Sequence, residues 1–241
     1  MGGASRRPPT STDGVLDWRV LSRIVLKLGG RVAAEEAVQA NVLRAAGHEV
    51  VVVHGAGPQI TAEMERRGIE PRFVEGRRVT TEEVLDVVRA SLLAVNAEVC
   101  GVVDDAVGLA GDEIGLRATQ MQALGLVGDP EPTAPGEVLE ALANGRVPVV
   151  APLAEGPLNV NADEMAAALA VGVGADRILF VTDVPGVLVD GAVAPRIAAA
   201  DADRMLADGS FEGGIVPKLV AAVRAARGGV TAEIGATAVV A

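Results

Sequence analysis

The chain has 241 residues, half of them apolar, and a net charge of −11 from 32 acidic and 21 basic residues. That length allows one large or two small domains with a sizeable core; with three phenylalanines and one tryptophan, the core must be built from alanine, valine and leucine. The absence of a basic run argues against a nucleic-acid partner, no stretch of ~18 uncharged apolar residues offers a membrane span, and the single cysteine, Cys100, excludes an internal disulfide and makes a reducing cytoplasm the expected compartment.

Residues 1–22 read as a disordered leader. Positions 1–19 are polar and rich in Pro, Ser and Thr, lack the apolar stretch of a signal peptide, and carry in Trp18 one side chain able to dock. RIVLKL (23–28) and VVVVH (50–54) are short buried strands that each meet glycine at the carboxyl end. A helix over 33–47 stops at Gly47, and another spans about 59–67. The run 81–104 is a long amphipathic helix with Val84, Val88, Leu92, Val95 and Val99 on one face; Thr80 or Thr81 caps its start. Residues 115–133 lack helical period and contain GDPEP, so they read as irregular strands and turns. There follow a helix at 135–144, an apolar strand at 147–153, a helix at 162–172, a strand at 177–182, a helix at 216–227 and two short strands broken at Gly235. Strands alternating with helices predict an α/β fold, a three-layer αβα sandwich around a mostly parallel open sheet. Ligands of such sheets gather beyond the carboxyl ends of the strands.

Four segments place glycine, lysine or a carboxamide just there. Lys27-Leu28-Gly29-Gly30 lets backbone N–H groups approach an oxyanion beside a fixed positive charge, although taken alone it is an ordinary turn and no GK[ST] follows it. His54-Gly55-Ala56-Gly57-Pro58-Gln59 leads a strand into a helix whose N-terminus is an anion cradle. His54 reads as a buried imidazole bracing that loop rather than as a base, and His48 as solvated in a turn. Asn159-Val160-Asn161-Ala162-Asp163 opens a helix; in isolation it is an N-cap, yet two carboxamides and a carboxylate could also bind an amino-acid group and orient lysines. Gly213-Gly214-Ile215-Val216-Pro217-Lys218 sets a lysine in a helix's first turn, which is unfavourable until a polyphosphate reverses the sign.

In this order and spacing the strings KLGG (27–30), VVVHGAGPQI (51–60), GRRVT (76–80), NVNAD (159–163), TDVPGV (182–187) and GGIVPK (213–218) resemble the amino acid kinase family, and within it the acetylglutamate kinases, from about residue 23 onward. The resemblance implies an amino acid kinase and carbamate kinase-like fold, an acceptor half at about 23–155 and a nucleotide half at 156–241. It implies ATP and N-acetyl-L-glutamate as substrates in arginine biosynthesis, with Mg²⁺ held mainly by nucleotide phosphates and no protein metal ligand. Lys27 and Lys218 would stabilise the phosphoryl group in flight and Asp163 would hold both. Gly30, Ala56 and Gly57 would line the accepting side, Arg78 would pair with the substrate α-carboxylate, and Asn159 would bind its acetamido end. Thr182, Asp183, Val184, Gly186, Val187, Leu188, Gly213 and Gly214 would line the nucleotide. The family pattern also implies a homodimer through the long helix 81–104. Phosphoryl transfer to a carboxylate needs charge neutralisation and no general base, which agrees with the lack of a Ser/His/Asp constellation or zinc spacing.

Three departures stand out. Ala56 replaces the middle glycine of the family's HGGGP loop and requires negative φ there; Gly108-Leu109-Ala110-Gly111 stands where the family has GLSG; and the stretch from Val230 to the last strand is short. That shortening, with Pro8, Pro9 and Gly14 disfavouring an N-terminal helix, predicts an enzyme insensitive to arginine and no larger than a dimer. Two alternatives stay open: another acylated amino dicarboxylate as acceptor, and a catalytically silent arginine-sensing domain. The presence of Lys27, Asp163 and Lys218 together favours activity.

Overall fold

A computed structural model describes residues 21–30 and 33–241; the expectations for the leader, Trp18 included, fall outside them up to residue 20. The chain runs β1 (Arg23–Leu28), α1 (Ala33–Ala45), β2 (Glu49–His54), α2 (Gly57–Arg66), β3 (Phe73–Val74), β4 (Arg77–Arg78), α3 (Glu82–Cys100) and β5 (Ala106–Ala110). It continues through β6 (Ala118–Gln120), β7 (Val127–Pro130), α4 (Gly136–Ala143), β8 (Val147–Ala151), β9 (Leu153–Ala154), β10 (Leu158–Val160) and α5 (Ala162–Gly172). The last third is β11 (Arg177–Phe180), β12 (Leu188–Val189), β13 (Ala192–Val193), β14 (Arg196–Ala198), α6 (Ala199–Ala207), α7 (Ile215–Arg227), β15 (Thr231–Ile234) and β16 (Thr237–Val240).

Eight strands make one sheet in the order β14-β16-β15-β11-β1-β2-β8-β5. Every pair is parallel except β15 with β16. Alternate residues of the central strands feed two separate cores, as a period of two demands. Val51, Val53 and Val150 pack with α4, α5, α6 and α7, whereas Val50, Val52 and Val149 pack with α1, α2 and α3. The molecule is therefore the expected αβα sandwich. With so few aromatics, helices must come close to fill space, and buried alanines such as Ala166, Ala170, Ala222 and Ala226 supply that on α5 and α7.

Helix α1 ends as expected before Gly47, whose φ of +94 lets His48 N–H reach Leu43 O at 3.2 Å, the six-to-one bond of a glycine-terminated helix. His48 is not solvated. It is 7 % exposed, and its Nδ1 accepts from Ser22 N at 3.2 Å. The long helix stops at Cys100 rather than 104: past Gly101 the chain turns, and Asn41 of α1 donates to Val102 O and accepts from Asp104 N; the AVGLA run then forms the edge strand β5, too short to show its own period. None of the helices among the described residues is long and apolar enough to cross a membrane.

Candidate functional site

The carboxyl ends of two central strands of the main sheet meet the end of β10, which belongs to a separate four-stranded sheet with β6, β7 and β9. β1 ends in Lys27-Leu28, β2 in His54, and the short β10 runs straight into α5. Asn161 caps α5, accepting from the N–H groups of Asp163 and Glu164 at 2.9 and 3.2 Å. The helix therefore presents two carboxylates in its first turn, where its dipole favours them. Asp163 faces two cations: Lys27 Nζ lies 2.7 Å from Oδ1 and Lys218 Nζ 3.8 Å from Oδ2. Lys27 and Asp163 are nearly sealed from solvent, at 5 % and 7 % exposed. The buried Lys27 and the partly exposed Lys218 share one carboxylate, so the cluster keeps an excess positive charge. Burial and the like charge of Lys27 push the Lys218 ammonium down from its usual range, while Asp163 opposes that shift.

Two cavities open on either side of this cluster, and Lys218 belongs to the walls of both. The first, about 290 Å³, brings together Lys27, Gly30, Ala56, Gly57, Arg78, Asn159 and Asp163 from the sequence-derived set. Gly30 is required by closeness: a Cβ there would sit 2.9 Å from Gly57 N and 3.0 Å from Ala56 N. The neighbouring loop is further tied by Gln59 Nε2 donating to Gly30 O at 2.6 Å. Ala56 has φ of −143, so alanine meets the condition set by the missing glycine.

Arg78 is 7 % exposed and, among the described residues, has no carboxylate within ion-pair distance. Its guanidinium donates to Thr61 Oγ1 at 2.8 Å and Gly57 O at 3.2 Å, approaches Met64 Sδ at 3.1 Å, and stacks 4.6 Å from the Phe73 ring centre. Burial without a counter-charge holds its pKa below the usual value. A buried cation lacking a partner is costly, and an anionic ligand in the cavity supplies one. Asn159 Nδ2 donates to Thr80 Oγ1 at 3.0 Å, and Thr80 in turn donates to Arg78 O at 2.8 Å. That chain leaves Asn159 Oδ1 as an acceptor for a ligand N–H.

The second cavity, about 470 Å³, is lined by Thr182, Asp183, Val184, Gly186, Leu188 and Gly214, with Pro185, Glu212 and Ile215 in addition. Val187 and Gly213 do not line it. Val187 is wholly buried and its N–H donates to Thr237 Oγ1 at 2.8 Å, while Gly213 takes the turn before α7 at φ of +69.

Three features were not found from the sequence. Glu36 of α1 accepts from Gly29 N at 3.0 Å; burial raises its carboxyl pKa against the pull of the Gly29 N–H, Lys27 and Lys218. Arg77 bonds Glu164 on α5, and Thr80 orients Asn159. Only the RRVT string hinted at the last two. His54 is buried as expected: Asn96 of α3 places Nδ2 3.1 Å from its Nε2 and also donates to Val149 O at 2.9 Å. Cys100 is half-buried, its thiol pushed up by burial, which does not suit a nucleophile.

Residues 22–235 match the model of the amino acid kinase family. An acetylglutamate kinase of Frankia casuarinae is 39 % identical over 95 % of this chain and 75 % of its own length. The chain belongs to the amino acid kinase family, among the acetylglutamate kinases. One from Salinispora tropica is 41 % identical, covering 88 % of this chain and 80 % of that protein. Among solved structures, smu.665 of Streptococcus mutans shares 28 % identity at a TM-score of 0.80, covering 90 % of this kinase and 98 % of that chain.

Proposed function

We propose that this kinase transfers the γ-phosphoryl group of ATP to the side-chain carboxylate of N-acetyl-L-glutamate, releasing ADP and N-acetyl-L-glutamyl 5-phosphate, a step of arginine biosynthesis. The observation that carries the reading is the Lys27–Asp163–Lys218 cluster, set where the two cavities meet. Phosphoryl transfer demands positive charge on the group in flight, held rigidly beforehand. Asp163 supplies the rigidity by restraining both lysines, and their excess charge answers that of the phosphoryl oxygens. The acceptor half, about 23–155 with Asn159, offers Arg78 to the α-carboxylate and Asn159 Oδ1 to the acetamido N–H. The N–H groups at Ala56 and Gly57, at the start of α2, face the carboxylate being phosphorylated.

The nucleotide lies in the second cavity against Thr182, Asp183, Val184, Gly186, Leu188 and Gly214, with Val187 and Gly213 shaping its loops from behind. The described residues contain no group of three or more metal-ligating side chains, so a protein-built metal cage does not fit. Magnesium bound chiefly to nucleotide phosphates does fit; Asp183 and Glu212 are the lining carboxylates that could meet its water shell, and the ion would neutralise phosphate charge. A homodimer through α3 has support in the uncharged exposed strip of Ala90, Leu93, Ala94 and Ala97 on that helix. Between β15 and β16 only Gly235 and Ala236 intervene, which leaves little chain there for an effector loop.

ADP release measured side by side with N-acetylglutamate, glutamate and N-acetyl-aminoadipate tests the proposal. Turnover with N-acetylglutamate well above the other two is expected. Preference for N-acetyl-aminoadipate would move the activity to a longer acceptor, and no turnover with any would leave a silent domain.

A further inference from the structure

The hairpin β3–β4 stands outside the main sheet and consists of two residues per strand. Its turn runs through Glu75 and Gly76, both at positive φ, the geometry of a tight two-residue hairpin loop. Phe73 and Val74 are exposed. A hairpin this small has no stability of its own, so its place over the first cavity depends on what it is tied to. Adjacent residues on a strand point to opposite faces, and the two arginines use that. Arg78 reaches the α2 wall, as described. Arg77 reaches the α5 wall, with Nε 3.2 Å from Glu164 Oε2 and Nη2 2.5 Å from Oε1. This is a two-point fork on a carboxylate that is 4 % exposed.

Glu164 is the residue after Asp163. The first turn of α5 thus carries two carboxylates on different faces: one holds the phosphoryl lysines, the next holds the acceptor hairpin. We propose that the Arg77–Glu164 pair is a latch that sets the β3–β4 hairpin in register with the first turn of α5, so that an acceptor gripped by Arg78 is aimed at the Lys27–Asp163–Lys218 cluster. The pair positions and does not itself react. A fork of two parallel hydrogen bonds fixes angle as well as distance, which a packing contact does not. The inference rests on the acceptor reading above, and it adds two positioning residues to it.

The test compares Glu164→Gln, Arg77→Met and the double variant Arg77→Met/Glu164→Met with the wild type. Steady-state kinetics with both substrates varied is combined with hydrogen exchange over residues 72–79 in the absence of ligand. Each single variant should raise the KM for N-acetylglutamate about tenfold. The ATP KM should stay within about twofold, kcat should fall as the acceptor loses its aim, and exchange across the hairpin, where Val79 N–H bonds Arg72 O, should quicken. An apolar pair commonly restores the stability of a lost buried ion pair. The double variant should therefore melt near the wild-type temperature and still show the raised acceptor KM. Recovery of wild-type KM in the double variant would reduce the pair to space filling and overturn the latch. A raised KM in Arg77→Met with none in Glu164→Gln would overturn it too, making Arg77 a direct ligand. If the wild type did not phosphorylate N-acetylglutamate, the acceptor reading would fall; unchanged exchange in both single variants would then sink the latch separately.

Discussion

The cavity proposed for the acceptor is walled by groups fixed in advance: Arg78 and Thr80 are buried, Asn159 is turned by Thr80, and Gln59 ties the two glycine-bearing loops together. The cavity proposed for the nucleotide is walled by loop residues 182–186, by Gly214 and by Leu188, which is half exposed. Behind it, Thr237 Oγ1 accepts from Val187 N–H and Ala236 N–H donates to Pro185 O. On that reading, the difference follows from what each side has to recognise. A small dianionic acceptor presents few atoms, so selectivity depends on buried polar groups that are left unpaired by the wrong ligand. A nucleotide presents a large ring and a polyphosphate, and loops with apolar contacts suffice for it. Lys218 belongs to both walls, and the two modes of recognition meet there.

The largest effect should come from the shared cluster. Lys27→Ala and Lys218→Ala should each lower kcat by about 10²–10³ while raising either KM far less. Steady-state kinetics with both substrates varied reads this. Near wild-type kcat in either variant would remove the cluster from the chemistry and leave two unconnected cavities.

A smaller effect sharpens the claim that the acceptor side is braced from inside. Burial lowers the His54 imidazole to about 4 from its usual 6.5. The unfolded chain therefore binds a proton that the folded one refuses, so the stability contribution is full above pH 6.5 and is lost as pH falls toward 4. Unfolding free energies of wild type and His54→Gln, measured at pH 7 and pH 5, should converge by about 2 kcal/mol on acidification. Parallel pH dependences would place the titrating group elsewhere.

Much of this was legible in the sequence for physical reasons. Runs such as RIVLKL and VVVVH announce buried strands, and glycines at their ends mark where backbone must come close, as Gly30 does. Lys218 was conspicuous because a lysine in a helix's first turn asks for a counter-charge, and Asp163 supplies it from 55 positions earlier in the sequence. What was hidden is pairwise geometry. Nothing local says that Arg77 reaches Glu164, that Thr80 turns Asn159, or that Glu36 takes the Gly29 N–H; each joins elements distant in sequence or separated by a turn. The strand β5 and helix α6 were missed because short alanine-rich runs lack a periodicity that tells helix from strand. His48 was misread because its burial depends on Ser22, on a neighbouring strand's approach rather than on its own turn.

The most direct test of the division between the two cavities is calorimetric titration of Arg78→Ala with each ligand in turn. Arg78 is the acceptor wall's unpaired buried cation, and truncating such a contact costs about 2 kcal/mol or more in binding. The account predicts that affinity for N-acetylglutamate falls at least about thirtyfold while affinity for ATP is nearly unchanged. A loss of ATP affinity with N-acetylglutamate binding intact would contradict it.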